Sequence, residues 1–132
     1  MFRVRSRYGL LILLVAVFLF YVSLSSYYMR ISDGGFTAFL HVGERFYDPA
    51  YFPTGTRVCP NEGYDGQFYC YVALDPFIHG KLYRQIDSPA YRYQRVLYPL
   101  ISALLSVGRK KWLPFMMWFV NVMAVVGSTY YI

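Results

Sequence analysis

Asp65 is the side chain in this sequence best placed for acid–base chemistry. It sits in the run Gly63-Tyr64-Asp65-Gly66-Gln67-Phe68-Tyr69-Cys70-Tyr71-Val72-Ala73-Leu74-Asp75-Pro76-Phe77. The glycines on either side predict a turn that presents it. A carboxylate so placed can accept the proton of an attacking hydroxyl; the plainer use of the same residue is a helix cap. From Gln67 to Leu74 nothing breaks a helix, and Pro76 stops it, because the residue before proline resists the helical region. At helical spacing Asp65, Phe68, Tyr69 and Val72 share one face. Tyr64, Gln67 and Tyr69 therefore stand near the carboxylate as candidate substrate contacts, although anchoring at a membrane interface is the commoner use of such aromatics. Asp33 is the second candidate carboxylate.

Arg92 and Arg95, three residues apart, share a helix face. A guanidinium pair can hold phosphate oxygens bidentately; equally, it can reach from a helix end to lipid headgroups. Cys59 and Cys70 are the only cysteines. Both fall in the segment that carries Asp65, so they are a candidate disulfide in an oxidising exterior or, otherwise, two unpaired thiols. Cys59-Pro60 lacks a second ligand pair, and His41 and His79 stand alone. The residue pattern thus demands no metal or other cofactor.

The elements that position these residues are set by hydropathy. The 132 residues are 57% hydrophobic and 21% aromatic but only 15% charged, against roughly 25% charged in globular chains. That balance points to a membrane protein. The net charge of +6 does not imply nucleic acid. The basic residues cluster at Arg3, Arg5 and Arg7 and at Arg109-Lys110-Lys111, beside apolar runs, rather than on one face of a folded domain. All seven acidic residues lie between Asp33 and Asp87.

Residues 1–7 read as a cytoplasmic tail and 8–29 as a first transmembrane helix, long enough at about 33 Å to cross a hydrocarbon core. A cleaved signal peptide is the competing reading of the same stretch. Residues 30–90 read as a large outer loop, with a short helix at Phe36 to Val42 and an irregular stretch at Asp48 to Thr56. A second, short crossing is expected at 91–107, a cytoplasmic turn at 108–111 and a third crossing at 112–132. In the third, Asn121 is placed to bond a neighbouring helix. The expected class is an all-α membrane protein of about three transmembrane helices, whose outer loop carries short interfacial helices. An apolar run that reaches the last residue fits a fragment of a longer polytopic protein.

Two blocks carry a family resemblance. Gly-Tyr-Asp-Gly-Gln-Phe-Tyr followed by Ala-Leu-Asp-Pro-Phe, and then Pro-Ala-Tyr-Arg-Tyr-Gln-Arg-Val-Leu-Tyr-Pro-Leu, resemble the start of bacterial integral-membrane glycosyltransferases of the GT-C fold. The closest likeness is to the group that forms cell-surface glycopolymers, more distantly related to the GPI mannosyltransferases. The resemblance implies a first outer loop that supplies a catalytic carboxylate, and Asp65 is the best match, with Asp33 second. It also implies a sugar donor carried on a polyprenyl phosphate, a glycan or lipid acceptor, and a multi-pass location in the bacterial inner membrane with the active-site loop outside. Such enzymes have eight or more transmembrane helices, so this chain corresponds to their N-terminal part, inactive alone. Arg92 and Arg95 would hold the carrier phosphate, separated from Asp65 by the width of a sugar. The group often has tyrosine where Cys70 stands. No Asp-x-Asp is present, so no divalent metal is required. A small non-catalytic three-helix subunit that binds lipid headgroups or a partner remains the alternative, as does a signal-anchored outer domain that binds a ligand.

Overall fold

The structure, a computed structural model, describes residues 7–131. Arg3 and Arg5 of the basic N-terminus lie outside the described residues. Two helices frame the chain. The first, α1 (Arg7–Ser32), contains the uncharged run and is about 39 Å long. It stops where Asp33 and Gly35 both turn left-handed, a conformation that ends helices. Helix α5 (Leu113–Tyr130) is about 27 Å long, with Pro114 in its first turn, where no helical donor is lost. Both are long and apolar enough to cross a membrane. Along α1 the side chains of Leu11, Ile12, Phe20 and Leu24 have little protein cover. The two helices pack antiparallel. Phe36, just past α1, meets Phe115 at 4.9 Å between ring centroids, and one turn further along α5 Trp118 donates to the Ser25 hydroxyl, back along α1.

Between them lies a compact cap. A 3₁₀ turn over Gly35–Leu40 leads into β1 (Val42–Gly43), which pairs in parallel with β2 (Val58–Cys59). Helix α2 (Asp65–Leu74) is the cap's centre. Its Phe68, Tyr71, Val72 and Ala73 are buried with Leu40, Val42 and Phe52, each large apolar side chain contributing about 1.5–3 kcal/mol by leaving water. The Tyr71 hydroxyl donates to the Phe46 carbonyl at 2.6 Å, which satisfies the one polar atom of an otherwise apolar side chain. Ahead of Pro76, the Asp75 carboxylate accepts from the amides of His79 and Gly80 and so closes the turn after α2. The expected helix beginning at Asp65 and ending before Pro76 is thus observed.

The expected crossing at 91–107 is not one helix. It divides into α3 (Pro89–Tyr93) and α4 (Leu97–Leu105). Nine residues reach about 13 Å, less than half a hydrocarbon core. Pro99 explains the division: it has no N–H to give the Arg95 carbonyl, and its ring clashes there. The basic turn also departs from expectation. The Lys110 ammonium donates to the Ala50 carbonyl at 2.9 Å, so Arg109-Lys110-Lys111 lies against the 30–90 segment rather than across a bilayer from it. Asn121 does bond a neighbouring helix, donating to the Tyr98 hydroxyl of α4 at 3.0 Å.

The candidate disulfide is absent. Cys59 and Cys70 are both free thiols, because Cys70 points into the core of α2 while Cys59 ends β2. Burial pushes the Cys70 thiol up to about 12, so it stays protonated and inert. Native protein treated with a maleimide at pH 8 should take up label at Cys59 only, and denatured protein at both positions. Equal labelling of both in the native state would contradict the buried placement.

Candidate functional site

Asp65 is the first residue of α2, and the N-cap position falls on Tyr64. The carboxylate therefore extends sideways to Arg92, whose guanidinium reaches one Asp65 oxygen at 2.7 Å. The same guanidinium grips Asp87 with two parallel hydrogen bonds, at 3.1 and 3.0 Å, and lies 4.8 Å from the centre of the Phe68 ring. Arg92 has 8% of its side chain exposed, against 54% for Asp65. One face of Asp65 is thus fixed while the rest reaches solvent.

This geometry corrects two expectations. Arg92 and Asp65 form a direct ion pair instead of standing a sugar's width apart. Arg92 is also committed to two carboxylates, which leaves the cluster net negative and unsuited to a phosphate. Both ion pairs hold the Arg92 guanidinium further into its charged form. Hydrogen bonding from Arg92 holds the Asp87 carboxyl below its usual range. A carboxylate with a depressed folded value stabilises the fold above its unfolded value, near ~3.9, and that contribution is lost as pH falls through the lower folded value. Acid unfolding followed by circular dichroism should therefore be less steep below pH ~4 in Asp87→Asn than in the parent. Identical acid limbs would show that the pair adds nothing.

Gln67 is a further correction. It has no exposure and cannot touch substrate. Its side-chain oxygen accepts from the Gly43 amide at 2.9 Å, and its amide nitrogen donates to the Glu62 carbonyl at 2.6 Å. It is a strut that ties α2 to β1 and to the loop before Asp65. Close approach of the same elements requires glycine at two positions. A Cβ on Gly66 would lie 2.8 Å from the Leu40 Cα, and one on Gly43 would overlap the Gly63 backbone nitrogen.

Two cavities meet at this point. A cleft of about 190 Å³ is lined by Phe46, Glu62, Asp65, Phe68, Asp87 and Arg92. A larger, mostly apolar cavity of about 930 Å³ lies between α1, α5 and the cap, bounded by Tyr28, Phe39, Tyr69, Tyr98 and Trp118 among others. Tyr64, 72% exposed, lines both, with its ring edge-on to His41 at 5.5 Å. Arg95 is exposed and stacks on the Tyr91 ring at 4.6 Å. A hydrogen bond to Tyr69 holds its guanidinium in the charged form, which puts a cation beside the larger cavity.

Of the candidate residues, the structure gathers Tyr64, Asp65, Tyr69, Arg92 and Arg95. Asp33 is exposed in the left-handed turn after α1 and is not among the residues lining either cavity. Asp87 was not anticipated. The signal lay in Asp87-Ser88-Pro89, since proline at the first helical position marks a start just after Ser88, and places Asp87 beside the helix that carries Arg92. Among the described residues no three His, Cys, Asp or Glu side chains are grouped to hold a metal. No protein-family model, curated protein or solved structure matches this chain.

Proposed function

We propose that this chain is the N-terminal, carboxylate-bearing part of an integral-membrane glycosyltransferase that moves a sugar from a polyprenyl-phosphate donor to a cell-surface glycan or lipid acceptor. The observation that carries the reading is the position of Asp65. It is half exposed, fixed on one side by Arg92, and separated only by Tyr64 from an apolar cavity between two membrane-length helices. The resemblance of both sequence blocks to GT-C enzymes supplies the reaction class.

In this reading Asp65 accepts the proton of the acceptor hydroxyl. Arg92 is a positioning residue that orients the carboxylate and is itself held by Asp87. The acidic cleft suits a hydroxyl-rich acceptor, whose O–H groups find carboxylate acceptors there. Arg95, beside Tyr69 at the larger cavity, takes the role of holding the carrier phosphate, where a fixed cation stabilises the departing charge. The antiparallel pair α1 and α5 crosses the bacterial plasma membrane twice, with the N-terminus inside and residues 33–112 on the outer side, reaching no deeper than the outer leaflet. Arg3, Arg5 and Arg7 set that orientation through the first helix.

The experiment is sugar transfer by the complete protein from a polyprenyl-phosphate donor. Arg95→Ala should raise the donor KM by about 10-fold or more, the loss of one charge-assisted contact, while Asp33→Asn should leave the rate unchanged. A rate lost in Asp33→Asn and kept in Asp65→Asn would exchange the two roles. Retention of transfer in all three variants would remove the roles given to these residues, and absence of transfer by the parent protein would favour the non-catalytic subunit.

A further inference from the structure

Helix α4 is inverted relative to a soluble helix. Leu97, Ile101, Leu104 and Leu105 recur at the spacing of one helical face, and all four are exposed, Leu104 by 70%. The inward face carries Pro99 and Ser102, and Ser106 follows at the helix end, all three buried. The serine hydroxyls are satisfied within the helix, donating to the carbonyls of Tyr98 and Ala103. An apolar stripe turned outward while serines turn inward has no rationale in water.

The position of α4 says what covers the stripe. Its Tyr98 hydroxyl donates to the Met117 carbonyl and accepts from Asn121, so α4 lies alongside the first turns of a helix apolar enough to cross a membrane. The chain between them exposes Val107, Arg109, Lys110, Lys111 and Trp112. Three cations and an interfacial tryptophan therefore sit at the rim of an apolar face that continues into α5. We infer that the outward face of α4 rests in the hydrocarbon of one leaflet, and that Arg109, Lys110 and Lys111 hold the headgroups of anionic phospholipids at its edge. Each cation near such a surface favours anionic lipid by about five-fold. Lys110 also donates to the Ala50 carbonyl, so lipid bound there would bear directly on the cap. The surface is distinct from the Asp65 cluster and does not depend on its chemistry.

Two measurements on the full chain in nanodiscs test this. With Cys59→Ser as background, a fluorophore on Leu104→Cys should be quenched by acyl-chain nitroxides and shielded from aqueous iodide. Quenching by iodide, or shielding from both agents by a covering protein or a second copy, would overturn the hydrocarbon contact. In discs of phosphatidylcholine and phosphatidylglycerol in equal parts, protein extracted with its bound lipid should retain mostly phosphatidylglycerol. Arg109→Gln with Lys111→Gln should lower that preference by on the order of 20-fold. An unchanged lipid ratio in the double variant would overturn the headgroup site.

Discussion

Asp65→Asn should lower sugar transfer by the complete protein by on the order of 10²–10⁴-fold while leaving donor-lipid binding near the parental level. The amide keeps the shape of the carboxylate and its contact with Arg92 but loses the basicity that the proposed transfer requires. Asp65 is half exposed, so the substitution leaves no buried atom unpaired, and the melting temperature should move little. That separation of activity from stability distinguishes a reacting group from a structural one. Arg92→Ala should behave differently. It leaves two carboxylates without their cation and uncovers the Phe68 ring. Both carboxylates reach water, so the loss should be on the order of 2 kcal/mol rather than the larger cost of a fully buried pair. Its activity should fall together with its stability. An Asp65→Asn protein that transfers at the parental rate would return Asp65 to the role of a charged residue in a helix's first turn.

Gly43→Ala should have the largest effect on folding. The added methyl would overlap backbone atoms of Glu62 and Gly63, not the end of a movable side chain, and a backbone overlap relaxes only if β1 leaves its place. A loss of about 3 kcal/mol or more is expected, at the upper end of single substitutions. Gln67→Ala should cost about 2–4 kcal/mol, because the Gly43 N–H and the Glu62 carbonyl each lose their partner. Gly127→Ala is the control, since a Cβ there meets nothing within 4 Å and alanine is the better helix former by up to about 1 kcal/mol. Thermal unfolding in a single detergent compares the three. A Gly43→Ala protein as stable as the parent would mean that β1 and the loop before Asp65 are not packed as described.

Much of the frame was legible in the sequence. Both long apolar helices and the limits of α2 follow from local signals: uncharged runs for the helices, and Asp65 and Pro76 for α2. What was misread depended on tertiary partners or on weighing two local signals against each other. Gln67 looked like a substrate contact because it is polar and close to Asp65. Only the return of β1 and the Glu62 loop onto α2 turns it inward as a strut. Arg92 and Arg95 looked like a pair because they are three residues apart. The short helix α3 instead sends Arg92 into the cap, toward Asp87 and Asp65, while Arg95, in the turn after it, is left outside on Tyr91. In the 91–107 run, low polarity outweighed Pro99 in the reading, yet Pro99 separates α4 from α3, and left-handed Val107 and Gly108 follow its end. The cavity beside Asp65 could not be read from sequence at all, since its walls come from α1, α5 and the cap, about a hundred residues apart.

The cap, from Asp33 to Trp112, is expected on one side of a two-helix membrane hairpin, presenting Asp65 there. Cysteine accessibility in intact cells tests it most directly, with Asn61→Cys beside Asp65 and Lys111→Cys in the basic turn, each in a Cys59→Ser background. Both positions should react with a membrane-impermeant maleimide from outside, before the membrane is opened. Labelling of position 61 from outside, with position 111 reacting only after permeabilisation, would restore a crossing at 91–107 and contradict the hairpin.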